Sequence, residues 1–147
     1  MRWEQGRMSS IFRETLGSIC VRPGMFVKEC DVKAVACFLD GLSMGLNSGG
    51  QENTGWEIFQ SWVQGKFGIS HPAWHWTDIL LHETGSHKEA LGIVAGVYDE
   101  LVEFLKSHSS DEVDQWSAAQ VSARRGNKLF APTETPNPDV PRVCATN

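Results

Sequence analysis

The feature that most constrains the fold is the spacing of the apolar residues, which recur with a helical period along most of the chain. A single domain of 147 residues also buries enough surface to fold without the help of disulfides or a structural metal. The sequence therefore predicts an all-α, mainly helical fold, a single-domain bundle of five or six helices. The clearest stripe begins after the N-cap candidate Asp31 and consists of Val32, Val35, Leu39, Leu42 and Leu46.

Polar residues at fixed offsets mark where other helices begin. Thr54 and Glu57 have the spacing of a capping box, and so do Ser86 and Glu89. The second box opens the longest apolar stripe, which extends to about Ser107. The remaining helices are expected over 9–17, from near Pro72 to Gly85, and from a cap at Ser109 to about Arg124.

Two segments carry other signals. Pro23-Gly24 is a turn dipeptide between short apolar pieces, which allows a small hairpin near residues 19–28 or an extended segment lying over the bundle. From Gly126 onward the chain holds four of its six prolines and few apolar residues. We therefore expect a helical domain over 1–125 and a disordered or loosely docked tail over 126–147.

The charge of the chain is concentrated in one segment. Thirteen Lys and Arg against eighteen Asp and Glu give a net charge of −5. Residues 74–116 hold nine of the acidic and two of the basic side chains, a local charge of −7. Such a distribution argues against binding to nucleic acid or to an anionic membrane and favours a basic protein partner.

The spacing of the cysteines and the first residues of the chain indicate in which cellular compartment the protein is located. The chain has four cysteines without C-x-x-C spacing, and no basic region followed by an apolar stretch opens it. We therefore expect reduced thiols in the cytoplasm.

A partner-binding surface is predicted on the longest helix. Gly92 and Gly96 lie there among carboxylates, and each glycine lowers helix propensity by about 1 kcal/mol relative to alanine. Either another helix of the bundle packs against them, which is the favoured interpretation, or a partner does. The acidic residues expected to contact a partner are Asp78, Glu83, Glu89, Asp99, Glu100 and Glu103.

Two tryptophans are further candidates for partner contacts. Trp62 and Trp74 lie off the apolar stripes, and tryptophan is enriched among the residues that dominate interface energies. A position in the core remains the alternative for both.

The alternative function is metal binding, as a metal-binding protein or a small metal-dependent hydrolase. His75, Asp78 and His82 are spaced i, i+3 and i+7, which would place two imidazoles and a carboxylate on one helix face. The same pattern is expected of the solvent side of any amphipathic helix. The G-x-S-x-G pattern from Gly41 to Gly45 lies within a helical stripe, so it does not indicate a hydrolase elbow. No catalytic residue and no cofactor are predicted.

Several short motifs follow one another in a fixed order along the chain. They are Arg22-Pro23-Gly24-Met25-Phe26, Phe38-Leu39-Asp40-Gly41, Phe59-Gln60-Ser61-Trp62-Val63 with Lys66-Phe67, Trp76 before Ile79-Leu80-Leu81, and Leu101-Val102-Glu103-Phe104-Leu105. In this order they resemble the motifs of small bacterial helical proteins, some of which are immunity proteins of polymorphic toxin systems. This resemblance implies a cytoplasmic inhibitor that occludes a cognate toxin, often a nuclease, and has no catalytic residues.

Overall fold

The computed structural model describes residues 10–50, 53–68 and 74–126, and these residues form an all-α bundle, as predicted. Two 3₁₀ turns connect the helices, at Pro23–Met25 and at Trp56–Ile58. The helices are α1 (Ser10–Val21), α2 (Val32–Ser48), α3 (Phe59–Phe67), α4 (Trp76–Thr84), α5 (His87–Ser107) and α6 (Ser110–Gly126).

Three of the predicted helix caps are present. The carboxylate of Asp31 accepts a hydrogen bond from the amide of Ala34 at 2.6 Å, and the hydroxyl of Ser86 accepts one from the amide of Glu89 at 3.1 Å. Ser109 and Glu112 form a reciprocal box before α6. In each case the side chain satisfies an amide that has no partner within the helix.

The predicted capping box at Thr54 is wrong. The Thr54 hydroxyl lies 2.5 Å from the hydroxyl of Ser43 on α2 and accepts from the amide of Trp56. Gly55 adopts a left-handed conformation with φ of 67°, and a short 3₁₀ turn precedes α3. The Thr54 hydroxyl therefore forms a tertiary hydrogen bond with Ser43 and does not cap a helix as the sequence pattern predicts.

The predicted hairpin near residues 19–28 is also wrong. Ile19 and Val21 lie in the last turns of α1, and Pro23–Met25 is a 3₁₀ turn. Gly126 is the last residue of α6, so the helical region extends one residue past the expected boundary. The rest of the predicted tail lies outside the described residues.

Helix α5 lies at the centre of the bundle and contacts α1, α2, α3 and α4. Beside it is a buried aromatic cluster in which Trp56 stacks on Phe59 with ring centroids 4.4 Å apart. Trp76 meets Phe59 edge-on at 5.0 Å, and Phe12 meets Tyr98 edge-on at 5.3 Å. This cluster connects α1, the 3₁₀ turn at Trp56, α3, α4 and α5 in one core.

Buried polar groups also connect separate elements. The hydroxyl of Tyr98 on α5 donates to the carbonyl of Thr54, and Nδ1 of His87 accepts from the amide of Val32 at 3.1 Å. These bonds satisfy buried polar groups that would otherwise destabilise the fold, so they fix how α2 and the Thr54 loop meet α5.

The cysteines differ in state. Cys20 and Cys37 carry free thiols, whereas Cys30 takes part in a disulfide. Burial raises the pKa of Cys20 to about 12, against a smaller lowering effect of Arg13, and this suppresses its reactive thiolate form. The expectation that the thiols are reduced is therefore wrong for Cys30.

No helix among the described residues combines the length and the apolar character needed to cross a membrane.

Candidate functional site

The candidate site lies on the side of α5 that points away from the core. Its outer face consists of Glu89, Gly92, Gly96 and Glu103, all of them exposed. At 3.6 residues per turn these four positions fall within about 60° of the helix circumference. The core-facing stripe lies on the opposite side and consists of Ala90, Val94, Val97, Leu101 and Leu105, none of them more than 4% exposed.

Among the described residues, no other helix covers the glycines of the outer face. A Cβ atom placed on Gly92 or Gly96 would have no neighbouring atom within 4 Å in the described part of the chain, apart from the local helix backbone. The favoured prediction, that a helix of the same bundle packs on them, is therefore wrong. A Cβ atom on Gly41 or Gly45 of α2 would likewise have no neighbour within 4 Å among the described residues, apart from the local helix backbone.

Two ion pairs flank the outer face of α5. At one edge, Nε and Nη2 of Arg13 on α1 bond the two carboxylate oxygens of Asp99 at 2.7 and 3.0 Å. At the other edge, Nζ of Lys66 on α3 lies 2.5 Å from a carboxylate oxygen of Glu100. The hydrogen bonds to Asp99 raise the pKa of Arg13, so its positive charge is retained at all accessible pH values.

These pairs change the electrostatic interpretation of the acidic segment. Asp99 and Glu100 are already compensated within the chain, and so is Asp78, whose carboxylate lies 3.1 Å from Nζ of Lys33. Glu89 and Glu103 form no ion pair with another described residue. The uncompensated negative charge of the outer face therefore lies beside the two glycines, between the flanking pairs.

Two of the predicted contact residues lie on another helix. Asp78 and Glu83 belong to α4, where Asp78 is partly buried and Glu83 is exposed. Neither is part of the outer face of α5.

The tryptophans proposed as anchors pack within the domain. Trp74 is 9% exposed and meets the ring of His82 at 5.3 Å, so the core alternative holds for it. Trp62 is partly buried and packs on Phe104 and Trp116, with ring centroids 5.2 and 5.6 Å away. Its indole nitrogen is buried without a hydrogen-bond partner in the described structure. The cluster around Trp62 joins α6 to α3 and α5.

The structure does not bring His75, Asp78 and His82 together as ligands. His75 precedes α4 as its N-cap, and its Nδ1 accepts from the amide of Thr77 at 3.3 Å. Asp78 pairs with Lys33, and His82 packs on Trp74. No three His, Cys, Asp or Glu side chains of the described residues are placed to hold a metal ion, so the metal hypothesis is wrong for these three.

The ring of His75 has a different role. Desolvation lowers its pKa, against the opposing effects of Asp40 and Asp78. A neutral ring keeps the Nδ1 lone pair free to accept from the start of α4. His75 is therefore a structural residue at a helix terminus.

No sequence pattern indicates the cations that flank the site. Arg13 is 86 residues from Asp99 in the chain, and Lys66 is 34 residues from Glu100. No local spacing rule connects such pairs, because each depends on how α1 and α3 pack beside α5.

Comparisons with known proteins give no further indication, because no protein-family model, no curated protein and no solved structure matches this chain.

Proposed function

We propose that this chain is a protein-binding module, an immunity protein that neutralises a cognate bacterial toxin by covering part of it with the outer face of α5. The observation that carries the proposal is the uncovered glycine pair at the centre of that face. The chain acts by steric occlusion and contributes no catalytic group.

The two glycines destabilise α5, and no contact among the described residues offsets this loss. Two glycines inside a helix lower its stability by about 2 kcal/mol relative to two alanines. A close contact with another helix would explain them, but no described residue makes one at Gly92 or Gly96. A partner that approaches the helix backbone closely would be excluded by side chains at these positions.

The charges favour a basic partner at the same place. Glu89 and Glu103 are exposed on the same face as the glycines, and neither forms an ion pair with a described residue. Lysine or arginine side chains of a toxin can pair with them while its backbone contacts the glycines. Charge complementarity of this kind speeds association and weakens as salt is added. A basic toxin such as a nuclease fits this surface, whereas nucleic acid and anionic membranes do not.

We propose the cytoplasm as the place of action. Disulfides are rare in that compartment, so the bond at Cys30 would be reduced there and would persist in an oxidising compartment. The outer face of α5 contains no cysteine, so the proposed inhibition does not depend on this bond.

The experiment uses two matched glycine pairs. In one variant Gly92→Ala and Gly96→Ala are combined, and in the control Gly41→Ala and Gly45→Ala are combined in α2, where the space is equally open. The toxin domain encoded by the neighbouring reading frame is the probe. We expect both variants to be more stable than the parent and only the α5 variant to bind the toxin more weakly, by about tenfold or more.

The charges are tested separately by stopped-flow association. Glu89→Lys with Glu103→Lys should slow association at low salt, whereas Glu57→Lys, on the 3₁₀ turn before α3, should not. Equal affinities for the two alanine pairs, together with unchanged association rates for the charge reversals, would refute the proposed surface. A neighbouring reading frame whose product does not bind the chain at all would refute the immunity function.

A further inference from the structure

An open groove lies along the outer side of α1 and the first 3₁₀ turn. It has a volume of about 550 Å³. Its lining residues form two rows in which neighbours are four residues apart, the spacing of the ridges on a helix surface. The first row is Glu14, Ser18 and Arg22, and the second row is Gly17, Val21 and Met25, with Phe26 beside Met25. We call this the α1 groove.

The second row and its surroundings expose apolar side chains. Met25 is 73% exposed, Val21 is 70% exposed and Phe26 is 37% exposed. A fourth, Ile11, is 51% exposed and lies three residues before Glu14 on α1. These four make up most of the five large apolar side chains that are exposed among the described residues, and we call them the apolar patch. Apolar groups that cluster on a surface indicate a site of interaction.

The turn that carries part of the apolar patch is fixed to the rest of the bundle. The amide of Phe26 donates to the carbonyl of Pro23 at 3.0 Å, and the ring of Phe26 meets that of Phe38 on α2 edge-on at 5.6 Å. Sγ of the buried Cys30 would lie 3.6 Å from a Cβ atom placed on Gly24, within the turn. The apolar patch is therefore a built part of the surface.

The first row carries one charge of each sign. Glu14 and Arg22 are exposed, and neither forms an ion pair with a described residue. The amide of Arg22 donates to the carbonyl of Ser18 at 2.9 Å, so Arg22 still follows the helical path of α1. Eight residues of helix hold the two charges about 12 Å apart along the axis. They therefore do not pair within one chain.

A second copy of the chain would bring these charges together. When two α1 helices pack antiparallel about a twofold axis at Ser18, Glu14 of one copy lies level with Arg22 of the other, because each is four residues from Ser18. Ile11 comes level with Met25 for the same reason, since each is seven residues from Ser18. The symmetry repeats every contact, so the row of each copy can lie in the groove of the other.

We propose that the α1 groove is the contact surface of a homodimer, in which a second copy of this chain packs antiparallel on α1. Two ion pairs between Glu14 and Arg22 join the copies, and each apolar patch is covered by the other copy. Gly17 and Ser18 are small and lie at the middle, where the helices approach most closely. This inference is independent of the proposed immunity function, because it concerns another surface and needs no toxin.

The first test is the mass of the full-length chain in solution. The contact consists of one helix and one turn from each copy, which is small beside the interfaces of obligate dimers, so the dimer should be reversible. Sedimentation equilibrium should show a mass that rises with concentration from one chain towards two. A chain that stays monomeric at every concentration, that assembles beyond a dimer, or whose copies remain joined in a denaturing gel without reductant would overturn the proposal.

Charge reversal tests the pairing of Glu14 with Arg22. Glu14→Arg alone places like charges level with each other, and so does Arg22→Glu alone, so each should weaken the dimer by about tenfold or more. An equimolar mixture of the two variants should associate again, because each reversed charge then meets its opposite on the other copy. The chain that carries both substitutions should dimerise for the same reason. Glu83→Arg, at an exposed position on α4, is the control and should leave the dimer unchanged.

Loss of apolar side chains tests the rest of the surface. Val21→Ser with Met25→Ser should weaken the dimer by about tenfold or more, whereas Met44→Ser, at a position 69% exposed on α2, should have no effect. Circular dichroism should show the same helical content in every variant, and the mixing experiment serves if the serine pair does not fold. A dimer that tolerates the charge reversals or the serine pair, or a mixture that does not regain association, would overturn the proposal.

Discussion

The two sides of α5 contribute differently to stability, because one side packs in the core and the other carries exposed glycines. The core-facing side carries Leu101, which is fully buried, and Tyr98, whose hydroxyl is bonded to another element. The outer side carries two glycines in open space between two surface ion pairs. The residues of the core-facing side are explained by their packing, whereas no contact among the described residues explains the glycines of the outer side. Substitutions on the core-facing side should therefore lower the stability of the fold, whereas substitutions on the outer side should affect binding to a partner.

The largest effect is expected on the core-facing side. Leu101→Ala removes a side chain that is 0% exposed, and we expect a loss of about 2 to 5 kcal/mol in the free energy of unfolding. Denaturant unfolding followed by circular dichroism measures it. A loss below about 1 kcal/mol would mean that the core collapses around the gap, and would contradict the packing described.

A smaller loss is expected from Tyr98→Phe, which keeps the ring and removes the hydroxyl. The carbonyl of Thr54 then lacks its donor in a buried position, which costs about 1 to 3 kcal/mol. Thermal and denaturant unfolding should both report it. Phe12→Leu, which changes an aromatic neighbour of Tyr98 without touching this hydrogen bond, serves as the comparison variant. An unchanged stability of Tyr98→Phe would show that the hydroxyl bond contributes nothing.

The outer side should respond in the opposite direction. Gly92→Ala and Gly96→Ala each fill open space with a methyl group, and we expect each to raise the free energy of unfolding by up to about 1 kcal/mol. The same unfolding measurement applies. A destabilisation would indicate a contact that covers the glycines in solution and would remove the contrast between the two sides.

The smallest effect is expected at the edge of the outer face. Asp99→Asn removes the charge that pairs with Arg13, and exposed pairs of this kind contribute about 0.2 to 1 kcal/mol. A double-mutant cycle with Arg13→Gln measures the coupling, which should decrease when salt is raised. Glu103→Gln, which has no ion pair among the described residues, is the matched control and should leave stability unchanged.

How far the sequence could be interpreted depends on how local each interaction is. The caps at Asp31, Ser86 and Ser109 were predictable because donor and acceptor lie three residues apart. The cap expected at Thr54 was not, because its hydroxyl meets Ser43, which is 11 residues away and on another helix. The position of His75 was misjudged for a related reason: α4 begins at Trp76, so His75 serves the helix terminus and not its face.

The candidate site was predicted in part. Helical spacing alone placed Glu89, Gly92, Gly96 and Glu103 on one side of α5, because 3.6 residues per turn fixes which positions are neighbours. It could not show that Asp99 and Glu100 are compensated, nor that Trp74 is buried. Those facts depend on residues far away in the chain, and no periodic pattern contains them.

By itself the sequence determined that this protein is an all-α bundle and where most of its helices begin and end, because apolar periodicity and end caps act within a few residues. Only the tertiary structure decided which side of α5 is covered, which carboxylates are paired, and that Val21 and Met25 line an exposed groove beside Cys30. Whether a residue is covered or its charge is paired depends on the residues that surround it in space, and helix packing determines which residues those are.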